Sequence, residues 1–102
     1  MHAVRIKYFA QDLPPSETAV IAATEGPLAA AAIGEKVSSA AWRTKPSWYV
    51  VGSQDFMIDP QQERDMAKKI GAKTLELPSS HVSMLSHPKQ VASFIAAAAA
   101  SL

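Results

Sequence analysis

The stretch 47-SWYVVGSQDFMIDP-60 decides the fold. Its first five residues are a continuous β-favouring apolar run, with Pro46 before it and Gly52 after it. Such a run suits a strand buried on both faces, as in a parallel sheet. Asp55 then follows on a turn, after Gly52-Ser53-Gln54. Asp59-Pro60 has the form of a helix N-cap with proline at the first helical position, and Gln62 stands at the capping-box position. Met66 and Ile70 lie four apart on one helical face, and Gly71 can end that helix.

Working outward, 73-KTLEL-77 is a second strand and 78-PSSHVSML-85 a second strand-end loop, with His81 where the first has Asp55. His87-Pro88 opens a last helix whose apolar face is Val91, Phe94, Ile95 and Ala98. Residues 45–102 therefore read β-α-β-α, which implies two parallel strands joined by a right-handed crossover. Two parallel strands alone leave both sheet edges open. The unit is expected to sit at the end of a larger sheet, or to meet a second copy or a separate chain through that edge.

Residues 1–44 read as loosely organised helix and connector. Pro14-Pro15 followed by SETAVIAAT predicts a helix with Asp12 or Ser16 near its N-terminus and Gly26-Pro27 as its stop. A second short helix is expected over 27-PLAAAAIG-34, with Pro27 in its first turn. Both are built of small residues with little to pack on each other. The segment 35-EKVSSAAWRTK-45 has no clear period and reads as connector.

Composition narrows the function. The 102 residues suffice for one small domain. Net charge is +1 with no block of like charge, so there is no electrostatic footprint for nucleic acid. The absence of cysteine excludes disulfides, thiolate metal sites and cysteine nucleophiles, and fits a reducing, cytoplasmic compartment. The three histidines are too scattered for a metal site, and no cofactor is expected. The alanine-rich 91-VASFIAAAAASL-102 is too short to cross a bilayer, so no membrane partner is expected.

Asp55 and His81 are the residues with chemical potential. Ligands of open parallel sheets sit outside the carboxyl ends of the strands, where both loops emerge. Neighbouring strands run about 4.8 Å apart, so the loops can meet. A carboxylate bonded to one imidazole nitrogen fixes the tautomer and leaves the other nitrogen free as a general base. Each residue also has a plainer reading, Asp55 as a turn former and His81 as a polar loop residue.

The run 45-KPSWYVVGSQDFMIDPQQERDMAKKIGAKTLELPSSHVSMLSHPKQVASFI-95 closely resembles the C-terminal end of α/β-hydrolases. Within that family the resemblance is to bacterial esterase-like or cofactor-free haloperoxidase-like members. The upstream 8-YFAQDLPPSETAVIAATEGPLAAAAIGEKVSSAAW-42 resembles the end of the helical cap in that group. The resemblance implies a partial α/β-hydrolase fold, with a cap remnant and connector over 1–44 and the C-terminal part of the core over 45–102. It implies Asp55 as triad acid and His81 as triad base. The parent activity it implies is hydrolysis of a small ester-like substrate through an acyl-enzyme. Phe56, Met57 and Met84, beside the pair, could line the acyl or alcohol pocket or simply pack as loop residues. Where this chain has Asp59, the family more often has proline.

One family element is missing. The nucleophile of these enzymes sits on a G-x-S-x-G elbow ahead of the acid and the base, and no such motif occurs here. Ser53 has no elbow around it, and Ser79, Ser80, Ser83 and Ser86 read as turn and cap residues. The oxyanion loop is missing too. The expectation is a truncated hydrolase chain, inactive alone. The alternatives are a non-catalytic α/β interaction module, or a half that complements a separate N-terminal chain.

Overall fold

The computed structural model describes residues 3–102, with side chains from Ile6 onward. Three helices open the chain: α1 (Ala3–Phe9), α2 (Pro15–Thr24) and α3 (Ala30–Gly34). A 3-10 turn at Ala41–Arg43 precedes β1 (Trp48–Gly52), α4 (Pro60–Lys69), β2 (Lys73–Leu77), α5 (Ser83–Ser86) and α6 (Pro88–Ala100). The two strands pair in parallel, with Trp48 opposite Lys73 and Gly52 opposite Leu77. The β-α-β-α order expected from residues 45–102 is therefore observed, with α4 as the crossover.

Local chemistry explains α4. Asp59 caps it by accepting from the Gln61 amide at 2.9 Å, and Pro60 occupies the first turn, where its missing N–H costs nothing. The reciprocal capping-box bond from Gln62 does not form; Gln61 instead bonds Asp65 one turn on. Gly71 ends the helix at φ 63°, the left-handed conformation that glycine adopts without a Cβ penalty. Arg64 of α4 pairs with Glu76 of β2 on the surface. The buried stripe of α4 is Glu63 and Ala67, with Ile70 half-buried below them.

Several expectations need correction. The 48-WYVV-51 run is buried fully only at its C-terminal end; Trp48, Tyr49 and Val50 are half-buried, so the described residues cover that part of the sheet only partly. On α6, Val91, Phe94 and Ala98 are half-buried, but Ile95 is exposed. Helix α3 starts at Ala30 rather than at Pro27. Neither Asp12 nor Ser16 caps α2: Pro14 holds the N-cap position without a side-chain bond.

Helices α2 and α3 bury no residue at all. Val20 of α2 and Ile33 of α3 stand exposed, as do Leu28 and Val37 in the segments beside them. The radius of gyration, 15.2 Å, exceeds the roughly 13 Å of a compact chain this long. Among the described residues the buried apolar core is small: Val51 and Leu77 at the carboxyl ends of the strands, Val82 in the loop after β2, Ala67 of α4, and Ala10. The best-packed part of the chain is thus the rim where Asp55 and His81 emerge.

Candidate active site

The two strand-end loops are stitched together beyond the sheet. The Ser53 amide donates to the Leu77 carbonyl at 2.8 Å, and the Gln54 amide donates to the Ser79 carbonyl at 3.1 Å. Gly52 permits this approach. A Cβ there would stand 2.8 Å from the Ser80 carbonyl oxygen and 2.9 Å from that of Ser79. Real Cβ atoms do not come so close to backbone oxygens, so any larger residue would force the loops apart.

Asp55 is 3% exposed. Its Oδ1 accepts from the amides of Met57 at 2.7 Å and Ile58 at 3.1 Å, the turn chemistry open to an aspartate. Its Oδ2 lies 2.8 Å from Nδ1 of His81. An ionised carboxylate can only accept, so Nδ1 carries the proton of the neutral imidazole. Burial works to raise the Asp55 pKa. The His81 hydrogen bond and the Ile58 and Met57 amides outweigh it, and the carboxyl sits below its ordinary range. Turn-forming and histidine-orienting are therefore not alternatives here: one carboxylate does both, with a different oxygen for each.

The His81 side chain is 34% exposed, and no hydrogen bond to Nε2 forms among the described residues. Phe9 of α1 packs on the ring, with centroids 5.4 Å apart and planes tilted by 43°. The serines of the loop serve its architecture. Ser79 and Ser80 are fully buried. The Ser79 hydroxyl meets that of Ser83 at 2.6 Å and donates to the Ser80 carbonyl at 3.1 Å. The Val82 amide donates to the Ser80 hydroxyl at 3.4 Å. His87 takes no part in the pair; its Nδ1 lies 3.0 Å from the Ser86 hydroxyl.

Phe56, Met57 and Met84 flank the pair and are 47–61% exposed, so they are not core residues.

Sequence reasoning missed Glu63 and the segment 9–12. Glu63 is 6% exposed and lies close enough to Asp55 and the Gly52 backbone to interact with both. Its Oε2 is buried without a hydrogen-bond partner. Burial, then the neighbouring Asp55 carboxylate, push its carboxyl up to about 7; the Gly52 backbone opposes this. Tyr49 shares the cluster: burial and the charges of Glu63 and Asp55 push its phenol up. The spacing Glu63, Ala67, Ile70 is a helical stripe, and that period could have placed Glu63 on the buried face.

The model of the alpha/beta hydrolase family matches residues 3–94. The chain belongs to the α/β-hydrolase family. Neither a curated protein nor a solved structure gives a significant match. The match spans the helical segment as well as the sheet, so both parts of this α/β-hydrolase chain fall within the family's pattern. Its two parallel strands, crossover helix and flanking helices form a partial α/β-hydrolase fold. No helix among the described residues is long and apolar enough to cross a membrane.

Proposed function

We propose that this chain carries the acid and the base of a Ser-His-Asp triad that hydrolyses an ester or a similar bond. The observation that carries this reading is the 2.8 Å contact between His81 Nδ1 and a buried Asp55 oxygen, with no partner for Nε2 among the described residues. Asp55 orients His81 and stabilises the imidazolium. His81 Nε2 takes the proton of a serine hydroxyl during acylation and returns it to the leaving alcohol. Phe56, Met57 and Met84 line the approach to Nε2 and bind the apolar part of a small ester-like substrate. Residues 1–44 act as cap and connector, and 45–102 as the C-terminal part of the catalytic core.

Residues 1–102 contain no G-x-S-x-G elbow, so the serine belongs to polypeptide outside them. Without it the base has nothing to activate. Loss of one triad member removes many orders of magnitude in rate, and these residues by themselves are inactive. A p-nitrophenyl ester assay on the purified 102-residue chain tests this. Release of p-nitrophenol at the buffer rate is expected. Turnover well above buffer that His81→Ala abolishes would sink the claim of inactivity.

A second reading is a non-catalytic interaction module. It rests on the exposed apolar residues of α2 and α3 and on a shallow groove of about 300 Å³ lined by Val20, Ile21 and Leu85 with Ser16 and Glu17. Such a surface, with the open sheet edges, favours self-association or a partner chain. Size-exclusion chromatography with light scattering separates the cases: a stable monomer that unfolds cooperatively counts against this module.

A further inference from the structure

Three of the four residues from Phe9, the last of α1, to Asp12 touch the candidate site. Phe9 stacks on the His81 ring at 5.4 Å. Ala10 is fully buried. The Gln11 side-chain amide donates to the Gln54 carbonyl at 2.6 Å, on the loop that bears Asp55. The Asp12 carboxylate accepts from the Ser80 amide at 2.9 Å, on the residue directly before His81. Gln11 and Asp12 are sequence neighbours, yet their side chains reach different strand-end loops, 43 and 68 residues downstream. A turn closed by the Leu13 amide on the Ala10 carbonyl at 3.2 Å shapes the segment.

We propose that segment 9–12 is a clasp that sets the relative position of the acid and base loops, with Asp12 as the positioning residue for His81. The inference rests on the reading of Asp55 and His81 as a triad pair. The mechanism is local. The Asp12 carboxylate fixes the Ser79–Ser80 peptide, one residue ahead of the peptide that leads into His81. The Gln11 amide fixes the peptide that follows Gln54 and leads into Asp55. Phe9 closes one face of the imidazole. The Nδ1–Oδ2 bond survives only while both loops keep their relative height, and an imidazole displaced by 1 Å no longer presents Nε2 correctly. Asp12 acts through the Ser80 backbone, so an amide in its place retains an acceptor. Burial works to raise the Asp12 pKa, but its bonding with Ser80, helped by Ser86, keeps the carboxyl below its ordinary range.

The test uses the full chain and two NMR readouts: the tautomer of His81 from its ring nitrogens, and the exchange rate of the Ser80 amide. In the wild type the Nδ1–H tautomer dominates. Asp12→Ala is expected to lose that preference and to speed Ser80 exchange about tenfold, the factor for one ordinary hydrogen bond. Asp12→Asn is expected to restore both. Ala67→Gly, a destabilising change in the buried α4 stripe away from the clasp, should leave the tautomer unchanged. A folded Asp12→Ala with the wild-type tautomer and Ser80 exchange overturns the proposal. If Asp12→Ala does not fold, Gln11→Ala decides: weakened Nδ1–H preference supports the clasp, and a wild-type spectrum overturns it. A wild type without the Nδ1–H tautomer refutes the triad reading itself, which distinguishes the two failures.

Discussion

Oδ2 of Asp55 holds Nδ1 of His81 at 2.8 Å, while Oδ1 of the same carboxylate is held by the amides of Met57 and Ile58. The acid is thus fixed by its own loop before it fixes the histidine. Removing it should be costly. Asp55→Ala leaves the two amides and Nδ1–H without their acceptor, and hydrogen bonds to a charged group contribute about 1.5–3 kcal/mol each. Removing the buried charge offsets part of that sum, and a net loss of about 3 kcal/mol or more, read from the urea midpoint at unchanged slope, is the expected outcome. Asp55→Asn, which can still accept through Oδ1, should lose about half as much.

The acid limb of stability follows from the sign of the Asp55 shift. Its folded-state pKa lies below the unfolded value of about 4. The stabilisation is therefore fully present above pH 4 and disappears as the pH falls through the folded value. Asp12 is shifted in the same direction and adds to this limb. Thermal melts between pH 6 and 2 should fall below pH 4. The fall should be shallower in Asp55→Asn.

Glu63 works in the opposite sense. Its carboxyl is pushed up to about 7 in the folded chain, from an ordinary 4.5. The folded chain then binds more protons than the unfolded chain between these values. The contribution is fully present below pH 4.5 and is lost as the pH rises through 7. The groups facing it are Asp55, Tyr49, His81 and the Gly52 amide. Glu63→Gln removes the second carboxylate but keeps the shape. It should stabilise the chain at pH 8 by about 1–3 kcal/mol and change little at pH 4.5. Equal effects at both pH values would contradict the assigned repulsion.

Gly52→Ala tests the close approach of the loops. The added methyl meets two carbonyl oxygens under 3.0 Å away, and both are backbone atoms that cannot swing aside. A cost of about 1–3 kcal/mol is expected, as for overpacking elsewhere. Loss of the downfield Nδ1–H resonance of His81 should accompany it. A variant of unchanged stability with that resonance intact would show that the loops have room to spare.

The sheet and the pair were legible because they rest on short-range signals. The apolar run 48–51 and 73-KTLEL-77, separated by one capped helix, leave a parallel crossover as the simple topology. That topology brings both strand ends to one rim. What was not legible depends on contacts distant in sequence. Asp12 precedes two prolines and looks like a helix cap, yet its acceptor is spent on Ser80. Nothing near Asp12 in sequence announces a partner 68 residues away. Glu63 lies in the polar run 60-PQQERDMAKK-69, whose charge hides that one acid faces inward. The burial of 48-WYVV-51 and Ile95 was overestimated for the converse reason: apolar side chains announce a wish for cover, and little covers them among the described residues.

The most direct test is ester hydrolysis by reconstitution. The chain is combined with a polypeptide that supplies the family's G-x-S-x-G elbow, sought first in the reading frame immediately upstream, and p-nitrophenyl acetate turnover is compared with each part alone. Turnover is predicted only in combination. His81→Ala or Asp55→Ala in this chain should lower it about 10³-fold or more. Combined turnover indifferent to His81→Ala, or full activity without this chain, would contradict the assignment of Asp55 and His81 as acid and base.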